Sequence, residues 1–144
     1  MKIPVLPSTA MYQPPQFAHT GDAGADLTAA IDLVLEPGHR SLIPTGLSIA
    51  IPDGYAGLVL PRSGLAVKHG VTVVNSPGLI DSGYRGEVKV GLINHGDEPF
   101  AITRGDRIAQ LLVTAVPEVE FVLVETLDET ERGDGGFGST GVDS

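Results

Sequence analysis

Glycine and proline interrupt this chain too often for it to be built from long helices. The sequence holds 19 glycines and 11 prolines in 144 residues. Each proline removes a backbone donor and each glycine loosens the backbone, so runs of regular structure must be short. Between the breaks lie brief apolar stretches rich in β-branched residues. They give candidate strands at residues 2–6, 25–30, 33–35, 40–43, 47–51, 57–60, 71–74, 86–93, 100–102, 107–115 and 121–124. Pro37-Gly38, Pro52-Asp53-Gly54 and Pro77-Gly78 mark turns between them. Many short strands at this spacing predict an all-β sandwich or barrel. Only residues 63–69 read as a helix, with Ser63 as its cap and Gly70 ending it in a left-handed conformation.

Charge narrows the function classes. The net charge is −9, so a nucleic acid polymer is an unfavourable partner unless the few cations cluster. The acidity is uneven: residues 118–144 hold eight acids and one base, Arg132, whereas residues 1–117 hold ten acids and eight bases. There is no cysteine, which excludes disulfides and thiolate metal sites. No apolar run reaches the length of a secretory signal or a membrane span, so a soluble cytoplasmic protein is expected. His19, His39, His69 and His95 are scattered without ligand spacing, and no Ser-His-Asp order stands out. Two units are expected: a β domain over residues 1–127 and a Gly-rich, polar, mobile tail over residues 128–144.

Five segments can carry chemistry, and each has an ordinary structural reading beside the functional one. The tail Arg132-Gly133-Asp134-Gly135-Gly136-Phe137-Gly138-Ser139-Thr140-Gly141 formally contains G-x-G-x-x-G, but no helix can follow it, and Ser139 stands where a phosphate-loop lysine would be. Its glycines would let backbone N–H groups approach an anion, Arg132 would add a forked charge, and Phe137 could lie on a base. Taken alone it reads first as a flexible, solubilising terminus. The segment 61–70 offers Arg62, Ser63 and Gly64 at a helix start, either a phosphate seat or a capped turn. Residues 75–86 read as a hairpin with an irregular tip. Exposed backbone there can read the edge of a base, and Asp81 can orient a water; the alternative is an Asx-type turn with Tyr84 packed on it. Asp26 sits among small apolar residues as a turn cap, a partner of a buried cation, or a water-mediated metal contact. Gln110 is an outward polar residue of a strand or a phosphate donor. Arg-Gly-Asp occurs at 104–106 and 132–134, but three residues carry almost no specificity.

Taken in order, AGADLTAA (23–30), PRSGLAVKHG (61–70), GVTVVNSPGLIDSGYRGEV (70–88), RGDRIAQLLV (104–113) and RGDGGFGSTG (132–141) resemble the five ordered motifs of the trimeric deoxyuridine triphosphatases. The resemblance spans nearly the whole chain. It implies a jelly-roll-like β-barrel with one short helix, assembled as a homotrimer with active sites shared between chains. It implies Mg²⁺-assisted hydrolysis of dUTP to dUMP and pyrophosphate, lowering dUTP and supplying dUMP for thymidylate synthesis.

Residue roles follow from the same resemblance. Asp81 matches the carboxylate that activates the water attacking the α-phosphorus. Asp26 matches the acid that organises metal-bound waters, with Mg²⁺ held mainly by the substrate phosphates. Arg62, Ser63, Gly64, Gln110, Arg132, Gly138 and Ser139 match phosphate contacts. Asn75 and the backbone of Gly78, Leu79 and Ile80, reaching across the hairpin to Lys89, match the uracil-reading strip. Tyr84 matches the residue under deoxyribose and Phe137 the lid over uracil. A related deoxycytidine triphosphate deaminase would share the barrel, but it uses a glutamate base in another motif context.

Overall fold

The computed structural model describes residues 1–136. Ten strands and one helix follow in the order β1 (Val5–Pro7), β2 (Ala25–Thr28), β3 (Leu33–Leu35), β4 (Arg40–Ile49), β5 (Tyr55–Leu60), α1 (Ser63–His69), β6 (Val71–Val73), β7 (Gly78–Ile80), β8 (Glu87–Asn94), β9 (Phe100–Ile102) and β10 (Arg107–Ala115). Two four-stranded antiparallel sheets, β1-β4-β8-β6 and β2-β10-β5-β7, enclose one apolar core, and β3-β9 forms a two-stranded sheet beside them. This is the expected jelly-roll-like all-β architecture with one short helix.

Alternation builds the core. Along β8, Val88, Val90 and Leu92 are buried while Lys89 faces outward. Ile43, Val71 and Val90 are wholly buried, and Leu27, Leu47 and Ile108 nearly so. Each such side chain contributes about 1.5–3 kcal/mol on burial.

Four expectations need correction. The predicted strands at 40–43 and 47–51 are one strand, β4. Its register against β8 shifts between Pro44 and Ser48, and Gly46 takes φ 75°. Thr45 Oγ1 donates to Val88 O at 2.6 Å and Glu87 Oε1 accepts from Gly46 N–H at 2.9 Å. The glycine read as a break is therefore a bulge inside a strand. The stretch 121–124 is not a strand. Residues 116–136 carry no strand or helix, and Phe121 and Leu123 are almost fully exposed, because the described chain offers them no ladder partner. Ser63 does not cap α1. Arg62 is the N-cap residue and no side chain closes the first turn, although Gly70 does end the helix in the left-handed conformation at φ 68°. Finally, the tip of the β6–β8 hairpin is not wholly irregular, since its residues 78–80 form β7 and pair with β5 of the other sheet.

Candidate active site: a slot and a cleft on one barrel

The crossing of β7 creates the first half of the site. β6 and β8 pair in one sheet, but the chain between them leaves to become the edge strand of the other. An edge strand presents unpaired N–H and C=O groups. Between β7 and β8 lies a slot of about 170 Å³, lined by Asn75, Gly78, Leu79, Ile80, Asp81, Tyr84 and Lys89 among others. Asn75, Gly78, Leu79, Ile80, Tyr84 and Lys89, expected together from the sequence, line one recess with Asp81.

Glycines shape this slot. A Cβ on Gly78 would stand 3.3 Å from both Val59 Cβ and Asn75 Nδ2, and one on Gly91 would stand 3.1 Å from Val74 Cγ1 and 3.6 Å from Asn75 Oδ1. The two bare backbones thus leave room for the Asn75 amide between them. Gly86 does the same for Tyr84, whose hydroxyl donates to Glu87 O at 2.9 Å. Asp81 follows β7 at the slot's mouth and is exposed. Among the described residues only its main-chain carbonyl is engaged, accepting from Tyr84 N–H at 3.1 Å.

The second half is built from charged and amide side chains. On the sheet β2-β10-β5, Asp26, Gln110 and Leu60 stand directly opposite one another, half-buried and on one face, while Ala25, Leu27, Ala109 and Leu111 point into the core. Gly24 lets Gln110 lie close, since a Cβ there would meet Gln110 Oε1 at 3.0 Å. The Gln110 amide donates to Pro61 O at 3.2 Å. Asp26 is braced by Arg62 Nε at 3.5 Å and Arg107 Nη1 at 3.4 Å. Arg62 also donates to Arg107 O at 2.9 Å. Two guanidiniums flank this carboxylate, while a second carboxylate, Asp22, lies in the same cleft beside His19, whose Nδ1 is 3.5 Å from Asp22 Oδ2. Asp26, Arg62, Ser63, Gly64, Arg107 and Gln110 line one cleft of about 420 Å³.

Arg107 was not singled out in the sequence. A register shift between Arg107 and Ala109 breaks the alternation of β10, leaving Ile108 and Ala109 both buried and turning Arg107 outward. The signal was available: a charged residue immediately precedes an apolar run after a Gly-Asp turn. The Arg-Gly-Asp at 104–106 is spent internally, with Asp106 Oδ2 accepting from Thr103 N–H at 2.8 Å and Arg104 Nε donating to Ala30 O at 3.0 Å. In the tail, Arg132 Nε donates to Gly135 O at 2.9 Å. Phe137, Gly138 and Ser139 lie outside the described residues.

Among the described residues no group of three His, Asp or Glu side chains could hold a metal. Asp26, already braced by two arginines, is no metal cage. It fits a cation carried in on an anionic ligand and met through water. Among the described residues no helix is long and apolar enough to cross a membrane.

A jelly-roll-like barrel with a strand-edged slot and a separate arginine-lined cleft has the makings of a nucleotide-binding protein. A family model described as dUTPase matches residues 12–141. The chain is 54% identical over 140 residues to the deoxyuridine 5'-triphosphate nucleotidohydrolase of Cutibacterium acnes, covering 96% of this chain and 92% of that one. It is 60% identical over 132 residues to that of Caulobacter vibrioides strain NA1000, covering 89% and 85%. Among solved structures it is similar to the dUTPase of Staphylococcus bacteriophage 80alpha bound to dUpNHpp, with TM-score 0.91 and 30% identity over 98% of this chain and 99% of that one. A mutant dUTPase from phage phi11 of S. aureus, described with a structural Mg(II) ion, gives TM-score 0.81 and 27% identity over 88% and 98%. The chain belongs to the dUTPase family.

Proposed function

We propose that this chain hydrolyses dUTP to dUMP and pyrophosphate, with the slot reading uracil and the cleft holding phosphates. The observation that carries the reading is Asp81: an exposed carboxylate, side-chain-unpaired among the described residues, at the end of the strand whose free edge faces the slot. Asp81 orients a water and takes its proton as the water oxygen attacks the α-phosphorus. The bond from that phosphorus to the α–β bridging oxygen breaks, and pyrophosphate leaves. One carboxylate suffices because phosphoryl transfer depends mainly on orientation and charge neutralisation.

The base is selected by shape and hydrogen bonding. A backbone-lined slot excludes the 5-methyl of thymine by contact. It rejects cytosine because an exocyclic amine would present a donor where uracil presents an acceptor. The Tyr84 ring lies under deoxyribose and leaves no room for a 2′-hydroxyl. Arg62, Ser63, Gly64 and Gln110 hold phosphate oxygens, joined by Arg107 on the geometry of the cleft. Mg²⁺ on the triphosphate would neutralise charge on the leaving phosphates. Asp26 would meet its water ligands.

Asp26 and Asp81 lie at opposite edges of one four-stranded sheet. Three strand spacings across the sheet and a four-residue offset along it, Leu60 against Ala56, put them about 19 Å apart, too far to serve one triphosphate's α-phosphate and its metal-bound waters within one chain. This separation supports a homotrimer in which the slot of one chain meets the cleft of a second. The tail of the third, residues 128–144 beyond a barrel unit of 1–127, then closes with Arg132 on the γ-phosphate, Gly138 and Ser139 on other phosphate oxygens, and Phe137 over uracil.

The test is pyrophosphate release from dUTP by wild type and Asp81→Asn. The variant is expected to lose about 10²–10⁴-fold in turnover while still binding substrate. Wild-type turnover of dTTP, dCTP and UTP should be poor, and a comparable rate on dTTP would refute the slot.

A further inference from the structure

Helix α1 carries Ser63 and Gly64 in its first turn; none of its residues is fully buried, and Leu65 packs half-buried against the apolar core. At seven residues it is far too short to be stable by itself. Besides that Leu65 contact, both of its ends are held. The N-terminal end is held by Arg62, through Asp26 and Arg107 O. The C-terminal end is held by something the reaction does not touch. There Gly70 and Gly96 meet backbone to backbone: a Cβ on Gly70 would stand 2.5 Å from Gly96 N and 2.8 Å from Gly96 Cα, and a Cβ on Gly96 would be driven into the carbonyl oxygen of His69. His95 N–H donates to Gly70 O at 2.8 Å. The His69 ring leans on Phe100 with centroids 5.0 Å apart.

The turn that receives the helix is itself anchored in the core. Asn94 is completely buried. Its amide donates to Leu35 O at 2.9 Å and to Glu98 O at 2.8 Å, and its Oδ1 accepts from Gly96 N–H at 2.9 Å. All three bonds hold the 94–98 turn in one shape, so Gly96 is presented to the helix from a rigid seat.

We infer that the Asn94–Gly96 turn is a positioning clamp for the reaction, setting the placement of the phosphate-binding segment 62–64 from the far end of α1. The inference rests on the proposed function. Gly96 is the position to test, because its φ is not in the left-handed region and a Cβ there meets the His69 carbonyl first, with Asn94 Oδ1 next at 3.1 Å. The added methyl pushes the His69 end of α1 outward, by on the order of 1 Å, and such a displacement of positioning groups costs about 10²-fold in rate.

The experiment measures kcat and KM for dUTP, inhibition by deoxyuridine, and thermal melting, for wild type and Gly96→Ala. Deoxyuridine carries no phosphate and reports the slot alone. The clamp predicts a kcat lower by about 10- to 100-fold with deoxyuridine inhibition unchanged within about twofold. If Gly96→Ala does not fold, Phe100→Leu is used instead; it removes the ring under His69 and gives the same split at a smaller size. Unchanged kcat overturns the clamp, as does a proportional loss of kcat and deoxyuridine binding. A wild type inert to dUTP brings down the function itself and the clamp with it, whereas an active wild type matched by the variant overturns the clamp alone.

Discussion

The slot and the cleft sit on one barrel but are made of different material. The slot is strand edge and bare glycine, with Gly78 and Gly91 in its wall and Gly86 making room for Tyr84. The cleft is charge, with two arginines around Asp26 and an amide across from them. A backbone surface cannot adjust, so it suits a flat base that must be distinguished from near relatives. Flexible guanidiniums can follow a phosphate chain, so they suit a ligand held by charge. Shape and charge should therefore fail separately when each is disturbed.

The tail breaks that separation, because Arg132 is assigned to the phosphates and Phe137 to the base. Deleting the residues after Glu131 should accordingly disturb both regions at once, with a loss of about 10²-fold in turnover and melting of the barrel unchanged. Steady-state kinetics beside a thermal melt checks this, and undiminished turnover would remove the tail from the site. Next in size, Gly78→Ala narrows the slot by one methyl. It should raise KM for dUTP by about tenfold or more and weaken deoxyuridine equally, while leaving inhibition by pyrophosphate alone. The converse variant is Arg62→Lys. An ammonium cannot reach Asp26 and Arg107 O together as the fork does, so pyrophosphate inhibition should weaken by about tenfold with deoxyuridine unaffected. If both probes weaken in both variants, the two regions are one. Smallest is Tyr84→Phe. It loses only the hydroxyl's bond to Glu87 O, an exposed contact worth about 0.5–1.5 kcal/mol at most, and should be seen as a slight drop in melting temperature with discrimination against UTP kept by the ring.

Most of this fold was legible from punctuation and alternation. The strands at 33–35, 100–102 and 107–115 and the helix at 63–69 agree with the structure to the residue, because each is bounded by Gly, Pro or Asp turns and has local cause to be what it is. What was not legible depended on distant partners. Gly46 looked like a terminator, yet Val88 and Glu87, some forty residues away, bond the bulge that carries β4 through it. Gly78–Ile80 looked like a loop, since three residues become a strand only when β5 lies beside them. Phe121–Val124 had the composition of a strand and lacked a neighbour. The site shows the same division. Asp26, Arg62, Gln110 and Asp81 stood out as polar groups at places where the local pattern was apolar or turning. Arg107 did not, because its outward aim comes from a register shift that only β2 reveals.

The excursion of β7 has a mechanical consequence. The chain leaves one sheet, pairs in the other, and returns, so the two faces of the barrel are stitched together at this seam and the recess lies between the stitches. A molecule gripped there acts as a rivet: the sheets cannot part without expelling it. Nucleotide binding should then be felt by the whole barrel as it unfolds, as one sharper transition at higher temperature, and amide protons as far from the recess as β1 and β2 should exchange more slowly when it is filled.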